Sequence, residues 1–316
     1  MSGSICITGG AGFIGSHIAE AHLAAGWSVT CLDDLSRGKR EQVPDGANLV
    51  QADVRSREAY DVIADGKFDV VNHQAAQIDV RVSVEDPATD ASINLVGFAN
   101  MLAAANKGGT RRVVLASSGG VVYGDPDVVP TPETAPNLPI SPYGVSKLAS
   151  EHYMRVMGAF GSFEGVALRY SNVYGPRQDP KSEAGVVSIF VSRVLAGLPI
   201  TIFGDGEQTR DYVFVRDVAR ASLLAATRQD VSRGARLDVP AFNIATGTET
   251  TVNALARHVM QALGREVAIE YAPARAGELM RSCLDIGKSA QSLGWRPEVQ
   301  FDEGLQALAH WFEGVQ

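Results

Sequence analysis

The sequence predicts an α/β fold, a doubly wound parallel sheet with a smaller, discontinuous C-terminal lobe. Three observations lead there. Short apolar runs of β-type residues alternate with stretches of helical periodicity as far as Tyr170. A glycine-rich segment joins the first such run to the first helical stretch. Past Tyr170 the alternation breaks into a Pro- and Gly-punctuated region, after which one more strand-and-helix pattern appears.

In chain order, the strand patterns are "SICIT" (Ser4 to Thr8), "SVTCLD" (Ser28 to Asp33), "NLVQAD" (Asn48 to Asp53), "FDVVNH" (Phe68 to His73), "RRVVLASS" (Arg111 to Ser118) and "EGVALRY" (Glu164 to Tyr170). Helical patterns lie between them, notably Gly12 to Ala25 and Asp86 to Ala105. The stretch "DYVFVRDVARASLLAA" (Asp211 to Ala226) is expected to return a strand and a helix to the main unit. The main unit is therefore assigned residues 1–170 and 211–245, and the second lobe residues 171–210 and 246–316.

Composition excludes several classes. At 316 residues, 45% hydrophobic and 20% charged, the chain reads as an ordinary soluble globular protein. No apolar run approaches the roughly 18 residues a membrane span needs. The net charge is -8, and the single basic cluster, Arg37-Gly38-Lys39-Arg40, is short, so neither a membrane nor a nucleic-acid partner is expected. Cys6, Cys31 and Cys283 have neither disulfide-framework nor CxxC spacing, and no signal-peptide pattern precedes the first strand, which points to a reduced, cytoplasmic protein. The six histidines show no metal-ligand spacing, and no metal is expected.

In "ITGGAGFIGSHIAE" (Ile7 to Glu20), Gly9, Gly12 and Gly15 follow a strand and enter a helix with GxxGxxG spacing. Chemistry at that junction explains them: a tight turn, close approach of the backbone to a pyrophosphate, and helix N–H groups that favour an anion. Asp33 ends the second strand about twenty residues later, where its carboxylate can accept from both ribose hydroxyls and repel a 2′-phosphate. NAD is thus expected over NADP. Asp53, ending the third strand, could meet the adenine edge or simply cap a loop.

"ISPYGVSKLASEH" (Ile140 to His152) opens a helix with Ser141 as N-cap and Pro142 in the first helical position. Tyr143 and Lys147, four residues apart, then share one face. A free tyrosine has a pKa of about 10 and makes a poor base at neutral pH. A neighbouring ammonium, the helix N-terminus and an oxidised nicotinamide would all favour the phenolate. The pair is expected to serve as general base and ribose holder.

Several motifs carry a family resemblance that covers nearly the whole chain: "TGGAGFIGSH", "LDDLSRGK", "HQAAQIDVRVSVEDP", "SSGGVVYGD", "SPYGVSK", "RYSNVYGPRQ", "PITIFGDGEQTRDYVFVRDVA" and "ARAGELMRSCLDIGK". The chain resembles the extended short-chain dehydrogenase/reductase family and, within it, the nucleotide-sugar epimerases that act on UDP-glucose. That resemblance implies a Rossmann domain and NAD-dependent, reversible inversion at C4 of a UDP-hexose through a 4-keto sugar. It implies cofactor contacts at Gly9, Gly12, Phe13, Ile14, Gly15, Asp33, Asp34, Asp53, Val54, Ala75, Ala76, Gln77, Asn94, Ser117, Tyr143, Lys147 and Tyr170. Substrate contacts are implied at Asn172, Arg210, Arg275 and Glu278, with both arginines suited to clamping a diphosphate. Arg177, in "GPRQ", has the weaker case because that stretch can simply turn the chain.

Related sequences often place the catalytic hydroxyl four residues before the Tyr of "VYG", and Gly119 stands there. A turn at Gly119-Gly120 could bring Ser118 into that place, with Ser117 as second choice. Ser282 aligns with a position that holds Tyr or a small residue beside the sugar C2 substituent, so N-acetylated sugars are expected to be tolerated. The resemblance further implies a homodimer built on the helices bearing Asn94 to Ala105 and Tyr143 to Met157. A 4,6-dehydratase or decarboxylase would need an acidic side chain beside the hydroxyl, which Gly119 and Gly120 do not supply. A UDP-glucuronate 4-epimerase stays open, and a non-enzymatic dinucleotide sensor has no use for Tyr143 and Lys147.

Overall fold

The structure, a computed structural model, describes residues 3–180, 185–229, 231, 240–275 and 279–314. The first part of the chain alternates as its patterning requires: β1 (Ser4–Thr8), α1 (Phe13–Ala24), β2 (Ser28–Asp33), β3 (Asn48–Gln51), α2 (Arg57–Gly66) and β4 (Val70–His73). Next come α3 (Val80–Glu85), α4 (Pro87–Ala91), a π-turn over Ser92–Val96, α5 (Gly97–Gly108), β5 (Arg112–Ser118), the short α6 (Gly119–Val122), α7 (Pro142–Phe160) and β6 (Glu164–Tyr170). The remainder holds β7 (Asn172–Tyr174), α8 (Val186–Leu195), β8 (Ile200–Phe203), β9 (Thr209–Arg210), β10 (Tyr212–Phe214), α9 (Val215–Thr227), β11 (Ala241–Ile244), β12 (Thr250–Thr251), α10 (Val252–Leu263), β13 (Ile269–Ala272) and α11 (Phe301–Gly314).

All six expected strands form, and with β11 they make a seven-stranded sheet in the order β11-β6-β5-β4-β1-β2-β3. Every pairing in it is parallel. The chain winds outward in both directions from β1, so a crevice opens beyond the carboxyl ends of β1 and β4. There Thr8 and His73 lie in register, and Thr8 Oγ1 is 2.8 Å from His73 Nδ1.

One expectation is corrected. The strand at Tyr212–Phe214 does not join the main sheet; it pairs in parallel with β7. The physical reason is its alternation. Val213 packs in the core beside Ile5, Val114 and Phe242, whereas Tyr212 and Phe214 pack in a second core with Phe190, Ile200, Leu255 and Leu305. The strand is a seam between two cores, while α9, which follows it, packs against α1. The C-terminal segment is shared as well, because Leu293 and Trp295 lie in the first core.

The three cysteines are free and buried. Among the described residues no helix is long and apolar enough to cross a membrane.

Candidate active site

The glycine loop lies at the mouth of the crevice. Gly9 has φ +69°, and a Cβ there would stand 2.7 Å from the backbone nitrogen of Ala75. A Cβ on Gly15 would stand 2.1 Å from the Gly9 carbonyl. Both positions demand glycine. Helix α1 begins at Gly12 without a side-chain cap and has no acidic residue in its first turn, where Phe13 and Ile14 sit partly buried. Its N-terminus therefore presents backbone N–H groups and positive potential toward the crevice.

Asp33, 7% exposed, is anchored beside this loop: Oδ2 accepts from the Ala11 N–H at 3.0 Å and Oδ1 from the Leu35 N–H at 2.9 Å. Burial pushes its carboxyl above the usual range, and those two N–H groups oppose the shift. A glycine loop closed against Ala75, an uncapped helix start and a fixed carboxylate together fit a dinucleotide. Asp34 is exposed and turned to Ser36. Asp53 Oδ1 accepts from the Arg55 N–H at 2.8 Å, and the Arg55 guanidinium pairs with its Oδ2 at 2.5 Å and holds the carboxyl below the usual range. The carbonyl of the buried Val54 accepts from Asn100 Nδ2.

Helix α7 starts as its sequence requires, with Ser141 Oγ accepting from the Gly144 N–H at 3.1 Å. Lys147 is buried; its Nζ donates to the Ala116 carbonyl at 3.0 Å and stands 5.7 Å from the centre of the Tyr143 ring. Burial lowers Lys147 to about 8, against the pull of Asp90 and Glu151. The expected depression of Tyr143 is not what its surroundings produce: burial, and then the Asp90 carboxylate, push this phenol up. His73 is brought down to about 3 by burial and by the Lys147 ammonium, so its ring is neutral and structural.

Gln77 and Asn94 hold each other. The Gln77 N–H donates to Asn94 Oδ1 at 2.9 Å, and Asn94 Nδ2 donates to the Gln77 carbonyl at 2.9 Å. Both side chains also donate to Asp90 Oδ1, at 3.0 and 2.9 Å. Their polar groups are thus spent on shaping the loop through Ala76 rather than left pointing into the crevice. The Tyr170 hydroxyl, at the end of β6, is 3.4 Å from Gln74 Nε2.

The structure separates the two candidate serines. Ser117 is buried and donates to Glu151 Oε1 at 2.5 Å, within an ion pair whose Arg169 Nη2 reaches Glu151 Oε2 at 2.7 Å. Ser118 is partly exposed at the sheet's carboxyl edge, and among the described residues no hydrogen bond holds its Oγ. A Cβ on Gly119 would stand 2.3 Å from Leu284 Cδ1, so any side chain there would displace Leu284. At Gly120 a Cβ would meet only Ser118 Oγ, at 3.8 Å.

Leu284 belongs to a strap from the C-terminal segment, fixed by Thr131 N–H to the Cys283 carbonyl at 2.9 Å and Asp285 N–H to the Thr131 carbonyl at 3.0 Å. This strap places Ser282 in one small cleft with Gly119, Gly120 and Leu284. Asn172 opens β7, with its N–H on the Asp211 carbonyl at 2.9 Å. Arg210 Nη1 donates to the Leu279 carbonyl at 2.9 Å, and the exposed Arg275 lies over Phe203 at 3.8 Å. Arg177 is turned to α1, where it bonds Ser16 at 3.1 Å and pairs with Glu20. Glu278 lies outside the described residues.

Sequence reading missed three buried carboxylates. Asp90 accepts from Gln77, Asn94 and Ser146; Glu151 pairs with Arg169; and Asp211 accepts from the N–H groups of Thr246 and Gly247. A usable signal existed for the first, since Asp90 and Asn94 are four apart on an apolar helical pattern. Among the described residues no three His, Cys, Asp or Glu side chains cluster as metal ligands.

Fold and crevice define a dinucleotide-binding α/β protein with a Tyr-Lys pair at the carboxyl edge of its sheet. Comparison with known proteins narrows this. Residues 5–245 match the NAD dependent epimerase/dehydratase family, and the chain belongs to that family. It is 42% identical to the UDP-glucose 4-epimerase of Mycolicibacterium smegmatis, over 97% of each chain. Two solved structures are similar throughout. The UDP-glucose 4-epimerase of Thermotoga maritima with UDP-glucose has a TM-score of 0.93 at 40% identity and 99% coverage of both chains. That of Thermus thermophilus in complex with NAD has a TM-score of 0.90 at 44% identity, covering 99% of this chain and 100% of that one.

Proposed function

We propose that this protein interconverts UDP-hexoses by inverting C4, with NAD as its cofactor. The observation that carries the reading is the Tyr143–Lys147 pair, anchored through Ala116 to the strand end that bears Ser118. Gly9, Gly12, Gly15 and Asp33 would hold the dinucleotide. When bound, its nicotinamide supplies a reversible two-electron oxidation at a sugar carbon, so that the carbon becomes trigonal and can be reduced from either face.

Tyr143 takes and returns the proton of the 4-hydroxyl, Lys147 offsets the negative charge at the phenol oxygen, and Ser118 Oγ fixes the sugar oxygen by a hydrogen bond. Arg210 and Arg275 bind the diphosphate, and Asn172 orients it. The absence of a side chain at Gly120, where a Cβ would meet only Ser118 Oγ, leaves space for the sugar beside that hydroxyl. The small Ser282 in the same cleft supports a substrate range that includes N-acetylhexoses.

The test is to incubate purified protein, without added NAD, with UDP-glucose, UDP-galactose, their N-acetyl forms and UDP-glucuronate, and to resolve the products. Interconversion of the 4-epimers is expected. Loss of water or carbon dioxide, or no conversion of any of these sugars, would refute the reading.

A second prediction uses the serines. Ser118→Ala should lower kcat about a hundredfold, as loss of a group acting on the reacting oxygen does, with stability unchanged. Ser117→Ala should instead cost about 1–2 kcal/mol of stability, because it strips a hydrogen bond from a buried carboxylate. The opposite pattern would move the role to Ser117.

We further infer a homodimer. Val145, Tyr153, Val156 and Phe160 form an exposed apolar stripe along α7, with Phe160 90% exposed, and Val96 is exposed at the entry to α5. A second copy of the chain covers this face. Sedimentation at micromolar concentration is expected to give a dimer, and a monomer would count against it. Three free, buried cysteines suit a reducing, cytoplasmic setting.

A further inference from the structure

We propose that Asp90 is a positioning residue for the Tyr143–Lys147 pair: it fastens the start of α7 to the loop after β4, and its negative charge sets the pH range in which the pair works. The proposal rests on the roles assigned above to Tyr143 and Lys147.

Asp90 is fully buried in α4. Ser146 Oγ donates to its Oδ2 at 2.6 Å, and Ser146 lies on α7 between Tyr143 and Lys147. Its Oδ1 accepts from Gln77 Nε2 at 3.0 Å and Asn94 Nδ2 at 2.9 Å. One carboxylate thereby joins the crevice loop, the π-turn and the first turns of the helix that carries the reacting pair. Among the described residues Asp90 has no ion-pair partner; its donors are two amides and a hydroxyl. A carboxylate without a paired cation acts over distance on its ionisable neighbours.

Those neighbours are few. Facing the pair are Asp90 from α4, Glu151 from α7 in its ion pair with Arg169 of β6, and the neutral His73 from β4. Glu151 has its counter-charge; Asp90 does not. Its charge adds to the burial that pushes Tyr143 up and opposes the burial that brings Lys147 down, so at both groups it pulls upward. Removing it must lower both. Activity that needs Tyr143 deprotonated then appears at lower pH, and activity that needs Lys147 protonated is lost at lower pH. The two limbs move together toward acid.

Two variants separate charge from tether. In Asp90→Asn the side-chain oxygen can accept from Gln77 and Asn94 and the new amide can donate to Ser146 Oγ, so all three contacts survive without the charge. Ser146→Ala keeps the charge and cuts the tether. The experiment measures kcat and KM for UDP-galactose across pH with the full-length holoenzyme, and Tm as the check on folding. Asp90→Asn should displace both limbs of the pH profile downward by about half a unit or more. Ser146→Ala should lower kcat severalfold with both limbs in place.

Should Asp90→Asn not fold, Asp90→Ser removes the same charge and carries the same comparison. Limbs that stay put when the charge is removed overturn the proposal, as does a displacement seen only in Ser146→Ala. Tyr143→Phe distinguishes the two levels: if it is active, the reading of the site fails, and if it is inactive while the charge-removal profile is unmoved, the role of Asp90 alone fails.

Discussion

Tyr143→Phe should lower kcat by about two to four orders of magnitude, the range that loss of a general acid–base group produces, with NAD binding and Tm close to those of the parent. The substitution removes one oxygen from a partly buried ring. The phenyl ring keeps its place beneath Lys147 Nζ, now 5.7 Å from its centre, and the helix start stays capped by Ser141. Among the described residues no hydrogen bond to the tyrosine hydroxyl contributes to the start of α7, which is fixed through the Tyr143 N–H on Ser83 Oγ at 3.2 Å. The loss is thus one of proton transfer. Steady-state turnover, thermal unfolding and bound-NAD content measured on one preparation check it; turnover within a fewfold of the parent would remove Tyr143 from the mechanism.

The largest expected stability effect belongs to Glu151→Ala. Glu151 and Arg169 are 1% and 4% exposed and meet through two hydrogen bonds, Arg169 Nε to Oε1 at 3.0 Å and Nη2 to Oε2 at 2.7 Å. Arg169 Nη1 continues to the Tyr123 hydroxyl at 2.8 Å, which donates to Asn243 Oδ1 at 2.8 Å. The pair is the centre of a polar chain that crosses from α7 through β6 to β11. Taking away the carboxylate leaves a buried guanidinium without a counter-charge, which costs about 3–5 kcal/mol. A fall in Tm of about 10 °C follows. Replacing both partners by methionine should recover part of the loss, since two apolar side chains leave no charge stranded. Thermal denaturation of the two variants decides it, and an unchanged Tm for Glu151→Ala would mean that water reaches Arg169.

What could be read from the sequence was whatever one element encodes by itself. Apolar runs located β1, β2, β4, β5 and β6, because a strand buried on both faces writes its burial into consecutive residues. Gly9, Gly12 and Gly15 located the strand-to-helix turn, and Ser141-Pro142 located the start of α7. Tyr143 and Lys147 were visible as a pair because four residues on a helix fix their common face without reference to anything else.

Tertiary structure decided the matters in which a residue's partner is remote in sequence. Val213 and its neighbours Tyr212 and Phe214 face different cores, and no local pattern states which core lies on which side of a strand. Ser117 and Ser118 are adjacent and chemically identical; what separates them is Glu151, 34 residues from Ser117, which engages one and leaves the other at the sheet's edge. The space beside Gly119 is taken by Leu284, on a strap from the far end of the chain. Asp90 reaches Ser146 across 56 residues. Periodicity tells which face of an element is buried, but the identity of the group across the interface is set only when the chain closes on itself, and the charge environment of Tyr143 and Lys147 is made of such groups.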